Sequence, residues 1–72
     1  MGKSIHTKEY KVFVQRLKKA RLEAGLTQVE VAEKLGRPQS HVSNVEKGQQ
    51  RVDVVELKRF ARLYGKTINY FL

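Results

Sequence analysis

The sequence predicts an all-α domain of five short helices. Three observations lead there. Apolar residues recur at three- and four-residue intervals and nowhere alternate over the length of a strand. Glycines punctuate the chain, and the segments after Leu26 and Val52 open on helix-capping signals. No Asn-Gly or Gly-Asn hairpin signal appears. Residues 1–7 show no such pattern and are read as a flexible basic arm, which leaves residues 8–72 as a single domain.

From Thr7 onward, Tyr10, Phe13, Val14, Leu17, Ala20 and Ala24 form one apolar stripe. Gly25 closes this first helix, because a glycine takes positive φ at little cost just beyond a helix end. Thr27 and Glu30 then form a capping box, in which the hydroxyl accepts from the Glu30 amide and the carboxylate reaches back. Leu26 and Val31 supply the hydrophobic staple of the same motif. Val31, Ala32 and Leu35 give the second helix its buried face, and Gly36 ends it. A helix this short is marginal alone and must lean on neighbours.

Arg37-Pro38 leads into a third segment, Gln39 to Lys47, with Gly48 as its stop. Proline suits a helix start, where its missing N–H would have had no partner. Val52 to Leu57 repeats the earlier device: Asp53 caps, Glu56 completes the box, and Val52 and Leu57 form the staple. Leu57, Phe60, Ala61 and Tyr64 continue the fourth helix to Gly65. Thr67 is placed to cap a last turn over Ile68 to Leu72.

Composition bounds the function. The chain has 72 residues, with fifteen Lys and Arg against seven Asp and Glu, a net charge of +8 and no cysteine. A domain of this size buries only roughly 60% of the surface its unfolded chain exposes, so it holds one small core. No apolar run exceeds three residues, which excludes a transmembrane span. Without thiolates, and with His6 and His41 apart from any carboxylate cluster, no metal site is expected. No glycine-rich phosphate loop and no paired carboxylates outside the caps occur, so neither a cofactor, a small-molecule ligand nor catalysis is expected. The positive charge makes a polyanion the default partner. It is spread evenly, with eight basic and four acidic residues up to Gly36 and seven and three after it, so it forms no tail-like block.

The Gln39 to Lys47 segment separates into two faces. At about 100° per residue, with Gln39 at zero, Ser43, Lys47, Ser40 and Asn44 fall within roughly 140° of arc. Val42 and Val45 lie opposite, as a thin seam for docking. Amides and hydroxyls in such a row suit base edges: Gln and Asn pair bidentately with adenine, and Lys reaches a guanine edge or a phosphate. Two short helices joined by the tight turn Leu35-Gly36-Arg37-Pro38 form a helix-turn-helix unit, whose second helix enters the major groove. Arg37, Lys47, Gln49, Gln50 and Arg51 surround the proposed groove edge, where phosphates pass. His41 falls between the docking face and the groove face, so packing and a phosphate contact both remain open for it.

Leu26-Thr27-Gln28, Val31-Ala32, Leu35-Gly36, Gln39-Ser40, Val42-Ser43, Val45-Glu46 and Gly48 together resemble the Cro/C1-type (Xre-like) helix-turn-helix domain, from about Leu17 to Leu72. The resemblance implies a compact five-helix bundle of the lambda-repressor-like type, with helices 2 and 3 forming the helix-turn-helix. It implies that Gln28 bonds a DNA phosphate and supports Gln39, that Gln39, Ser40 and Asn44 read bases, and that Ser43 lies near the DNA backbone. Arg21 and Glu46 match positions that form a structural salt bridge. Pro38 departs from the pattern, which places Ser or Thr at the cap of the recognition helix.

A sequence-specific, double-stranded-DNA-binding transcriptional regulator is therefore expected, cytoplasmic and nucleoid-associated. Direct base readout falls to Gln39, Ser40, Asn44 and Ser43. Phosphate contacts fall to Gln28, Arg37, Lys47, Gln50, Arg51 and His41. Such domains usually bind as symmetric dimers to a palindromic operator, with half-sites roughly 34 Å apart. Ile68, Tyr70 and Leu72, with Val52 or Val55 nearby, are the dimer candidates, while Phe71 is expected to pack on its own domain. The alternative is an antitoxin-like module that binds a partner protein as well as DNA.

Overall fold

The structure, a computed structural model, describes residues 7–72, and all five regular elements among them are helical. Helix α1 (Lys8–Glu23) begins at Thr7, whose hydroxyl accepts from the Tyr10 amide at 3.1 Å. Thr7 thus belongs to the helix boundary and not to an arm, and the rest of the expected arm lies outside the described residues. Val14, Leu17 and Ala20 are buried along one stripe, and Arg21, four residues after Leu17, is buried on the same side. Tyr10 and Phe13 are half-buried, whereas Ala24 is exposed.

Helix α2 (Gln28–Leu35) opens on the expected box. The Glu30 amide donates to the Thr27 hydroxyl at 3.1 Å, and the Thr27 amide donates to the Glu30 carboxylate at 2.8 Å. Gly36 ends the helix at φ 69°, a conformation that costs other L-residues energy. There the Gly36 amide bonds the Glu33 carbonyl and the Arg37 amide bonds the Ala32 carbonyl, at 3.2 and 2.9 Å. These bonds satisfy the last carbonyls and turn the chain toward α3.

Helix α3 runs Gln39–Glu46, one residue shorter than the sequence suggests, with Lys47 as its C-cap. Pro38 stands at the N-cap, with φ −64°, ψ 152° and no side-chain cap bond. Its ring fixes φ, and its carbonyl accepts from the His41 amide at 3.0 Å.

Helix α4 (Val54–Tyr64) is capped by Asp53, which accepts from the Glu56 amide at 2.8 Å. Here the expected box does not close: the Glu56 carboxylate turns away from the cap toward His41 and Arg37. Helix α5 (Ile68–Phe71) is a single turn. Thr67 occupies its cap position without a side-chain bond, and the Tyr70 amide instead bonds the Thr67 carbonyl at 3.1 Å.

Helix α1 packs on α3, α4 and α5, while α2 packs chiefly on α3. Leu17, Val31, Val42, Val45, Phe60 and Phe71 are each less than 2% exposed and form the centre of the core. Val42 and Val45 are the seam expected of α3, and burying a side chain of this size stabilises by about 1.5 kcal/mol or more. Phe71 holds the last turn to the core. The Lys66 ammonium reaches the Glu23 carboxylate at 2.8 Å and ties the α4–α5 loop to the end of α1. No helix among the described residues is long and apolar enough to cross a membrane.

Candidate nucleic-acid interface

With its valines in the core, α3 turns Gln39 and Ser40 fully outward and leaves Ser43 and Asn44 half-buried beside them. Lys47 is exposed at the end of the same face. The structure thus brings the proposed readers together on the outer side of one helix. Gln28 lies next to them, because α2 and α3 cross at the turn that Gly36 makes possible.

A continuous polar chain fixes these glutamines. Arg21 donates from Nε to Glu46 Oε2 at 2.7 Å and from Nη2 to Oε1 at 3.1 Å, while Nη1 donates to the Leu26 carbonyl at 2.9 Å. The two side chains are 9% and 5% exposed, so the expected ion pair is present and withdrawn from water. A two-point fork of this kind constrains orientation as well as distance. The hydrogen bond to Glu46 is the main reason that the Arg21 pKa is raised further above its ordinary value.

Glu46 Oε1 also accepts from Gln28 Nε2 at 3.0 Å, and Gln28 Oε1 accepts from Gln39 Nε2 at 3.2 Å. The order is therefore Arg21, Glu46, Gln28, Gln39, running from the buried face of α1 to the exposed start of α3. Each glutamine keeps one amide hydrogen, and Gln39 keeps its carbonyl oxygen as well. A donor and an acceptor side by side are what the adenine edge requires. The buried end of the chain carries compensated charge, and the exposed end is neutral, so it supplies orientation more than attraction.

The phosphate candidates divide. Arg37 Nε lies 3.4 Å from Glu56 Oε2 as an ion pair, with the side chain 49% exposed. His41 does not project from the groove edge. Its Nε2 lies 3.0 and 3.1 Å from the two Glu56 oxygens, its side chain is 9% exposed, and that nitrogen is already committed. The physical reason is its position between the faces, which carries the ring back against α4. Gln50 is exposed, and its carbonyl lies 3.5 Å from the Tyr10 hydroxyl. The Arg51 guanidinium lies over the Tyr10 ring at 5.6 Å, against α1.

Glu56 was not among the residues singled out for a site, although the wheel holds a signal for it. It lies four residues before Phe60, on the face of α4 that enters the core, and it is 6% exposed.

The dimer candidates also divide. Ile68 and Tyr70 spend part of their surface on their own core, Tyr70 meeting Phe71 edge-on at 5.0 Å. Leu72 is 75% exposed, and Val54 and Val55 are the other uncovered apolar residues nearby. Tyr10, Phe13, Leu57 and Phe71 line an open depression of about 550 Å³ that Val54 and Leu72 border.

The chain is similar to known helix-turn-helix proteins. A sequence profile described as helix-turn-helix matches residues 17–71. The HTH-type transcriptional regulator ImmR of Bacillus subtilis (strain 168) is 40% identical over 58 residues, a match covering 81% of this chain and 46% of that protein. The chain thus spans about half the length of that relative. Among solved structures, an XRE-family like protein from Pseudomonas syringae pv. tomato str. DC3000 superposes with a TM-score of 0.83 at 42% identity, covering 96% of this chain and 84% of that one. A profile that runs from the second half of α1 through α5, and a solved relative matched over most of both chains, lead to one conclusion: the chain belongs to the XRE-type helix-turn-helix family.

Proposed function

We propose that this chain is the DNA-reading domain of a transcriptional regulator, with α3 lying in the major groove of a double-stranded operator. The observation that carries the reading is the Gln28–Gln39 bond at 3.2 Å, with Gln39 exposed and Gln28 anchored on Glu46. Gln39, Ser40 and Asn44 read base edges, and Ser43 lies toward the DNA backbone. Gln28 contacts a phosphate with its remaining amide hydrogen, at a helix N-terminus whose free amides and partial positive charge favour an anion. Arg37, through its terminal nitrogens, and Lys47, Gln50 and Arg51 contact further phosphates, each neutralised phosphate steepening the log–log salt dependence by about 0.9.

The chain acts as a homodimer on a palindromic operator. Uncovered Val54 and Leu72 at the apolar depression support that reading, since one domain alone buries too little DNA for high specificity.

Selection of bound sequences from random duplexes tests both parts. It is expected to return two inverted half-sites about one helical turn, roughly 34 Å, apart. A single unrepeated site contradicts the dimer. On the selected operator, Gln39→Ala is expected to lose about 1–3 kcal/mol of discrimination at one base pair while keeping most of its non-specific binding. Equal loss on all DNA contradicts base reading by Gln39.

A further inference from the structure

Glu56 is a buried carboxylate that the chain from Arg21 to Gln39 does not use. Its side chain is 8% exposed, and three elements meet on it: α4 supplies the carboxylate, α3 supplies His41, and the turn of the helix-turn-helix supplies Arg37. Both carboxylate oxygens lie within 3.1 Å of His41 Nε2. Withdrawing a carboxylate from water is costly unless a partner compensates it. A cheaper arrangement was available locally, because Asp53 already caps the helix and the capping box would have kept Glu56 near solvent. The carboxylate takes the buried route, where it meets a permanently charged guanidinium and an imidazole from the recognition helix.

The consequence is geometric. His41 follows Gln39 by two residues, on the back of the turn that presents Gln39 and Ser40. The side chain of Pro38 contributes no cap bond to hold that turn. Val42 and Val45 hold the middle of α3 by apolar contact, which is non-directional. The Arg21–Glu46 fork orients its last turn, and the exposed Gln28–Gln39 bond is the other polar tie of its first. The buried contact at His41, one ring nitrogen shared between the two Glu56 oxygens, is directional and lies in that first turn. We propose that Glu56 is a positioning residue for DNA recognition: it brackets the first turn of α3 and the preceding turn, and so sets the angle at which Gln39, Ser40 and Asn44 meet the bases. This rests on the reading of α3 as the recognition helix.

The test is the affinity of the full chain for its selected operator and for an unrelated duplex at one salt concentration, with Gln39→Ala as a parallel control. Glu56→Gln keeps the length of the side chain and removes its charge. It is expected to weaken operator binding about tenfold, equivalent to roughly 1.4 kcal/mol, and binding to the unrelated duplex by much less. His41→Leu removes the α3 half of the bracket outright and should show the same split. It carries the test if Glu56→Gln does not fold, as judged by helical circular dichroism at the assay temperature. The double variant should lose no more than the more affected single one, because the His41–Glu56 contact is shared by the two substitutions. Equal losses on both duplexes, an operator affinity within about twofold of the parent, or additive losses overturn the bracket. If Gln39→Ala also leaves discrimination intact, the recognition-helix reading itself falls and the bracket falls with it. Intact discrimination in Glu56→Gln alongside lost discrimination in Gln39→Ala overturns the bracket alone.

Discussion

Helices α2 and α4 open on the same local pattern and use it differently. Thr27 and Asp53 each accept the amide of the residue three positions on, and in both helices that residue is a glutamate. At α2 the Glu30 carboxylate returns to the Thr27 amide, in solvent, and the motif is closed within four residues. At α4 the Glu56 carboxylate leaves the motif for partners 15 and 19 residues earlier in the chain. Local and tertiary bonds compete for one carboxylate, and which wins depends on what the fold brings near. Glu30 is exposed and bonds within its own cap; Glu56 sits over the core side of its helix, facing an imidazole and a guanidinium. A capping glutamate is thus a local device in one helix and a tertiary tie in the other.

Truncation to alanine separates the two uses. Glu46→Ala sets the upper end of the scale, since it strands the Arg21 guanidinium at 9% exposure and unhooks Gln28. It is expected to cost about 3 kcal/mol in denaturant unfolding. Glu56→Ala should cost about 2 kcal/mol, less because the half-exposed Arg37 can turn to water. Glu30→Ala should cost under about 1 kcal/mol, the scale of an exposed cap. Equal losses at Glu30 and Glu56 would break the distinction between the two helices.

Tyr64 sharpens the contrast from the other side, because its buried hydroxyl has no hydrogen-bond partner among the described residues. Burial, followed by the nearby Glu46 charge, pushes its pKa well above the ordinary 10.0. The sign follows: below pH 10 the phenol is neutral in both states and its contribution is fully present. Above that the unfolded chain ionises while the folded one resists, so stability falls as pH rises toward the folded value. Tyr64→Phe removes the hydroxyl and with it the desolvation cost. The variant should be unchanged or up to about 1 kcal/mol more stable at neutral pH. It should also lose less stability above pH 10 than the parent, as measured by thermal melts over a pH series. A clear loss at neutral pH would mean that the hydroxyl is satisfied, for example by a buried water.

These elements also mark how far the sequence is legible. Helix limits were readable because their causes are local: Thr27 with Glu30, Asp53, and the glycines that take positive φ at Gly36 and Gly65. Even so, α3 stops one residue short of Lys47, and Thr67 marks its cap position without bonding. The reading face of α3 was legible because its periodicity divides Val42 and Val45 from Gln39, Ser40 and Asn44. Pairing Arg21 with Glu46 needed the family pattern, since two residues 25 apart show nothing in periodicity about their meeting. His41 and Glu56 were read as an edge residue and a box residue, and each reading was locally sound. Their partnership depends on how α3 and α4 meet, which no window of one helix contains. Ile68 and Tyr70 likewise looked free for a partner, while the fold uses part of them for its own core.

Amide chemical-shift mapping of the isotope-labelled chain, titrated with its selected operator duplex, puts the recognition-helix reading to the proof. The side-chain amides of Gln28, Gln39 and Asn44 and the backbone amides of Ser40 and Ser43 should show the largest changes. Side-chain amides of Gln39 and Asn44 that stay in place, while the largest changes gather at Tyr10, Phe13 and α5, would contradict it.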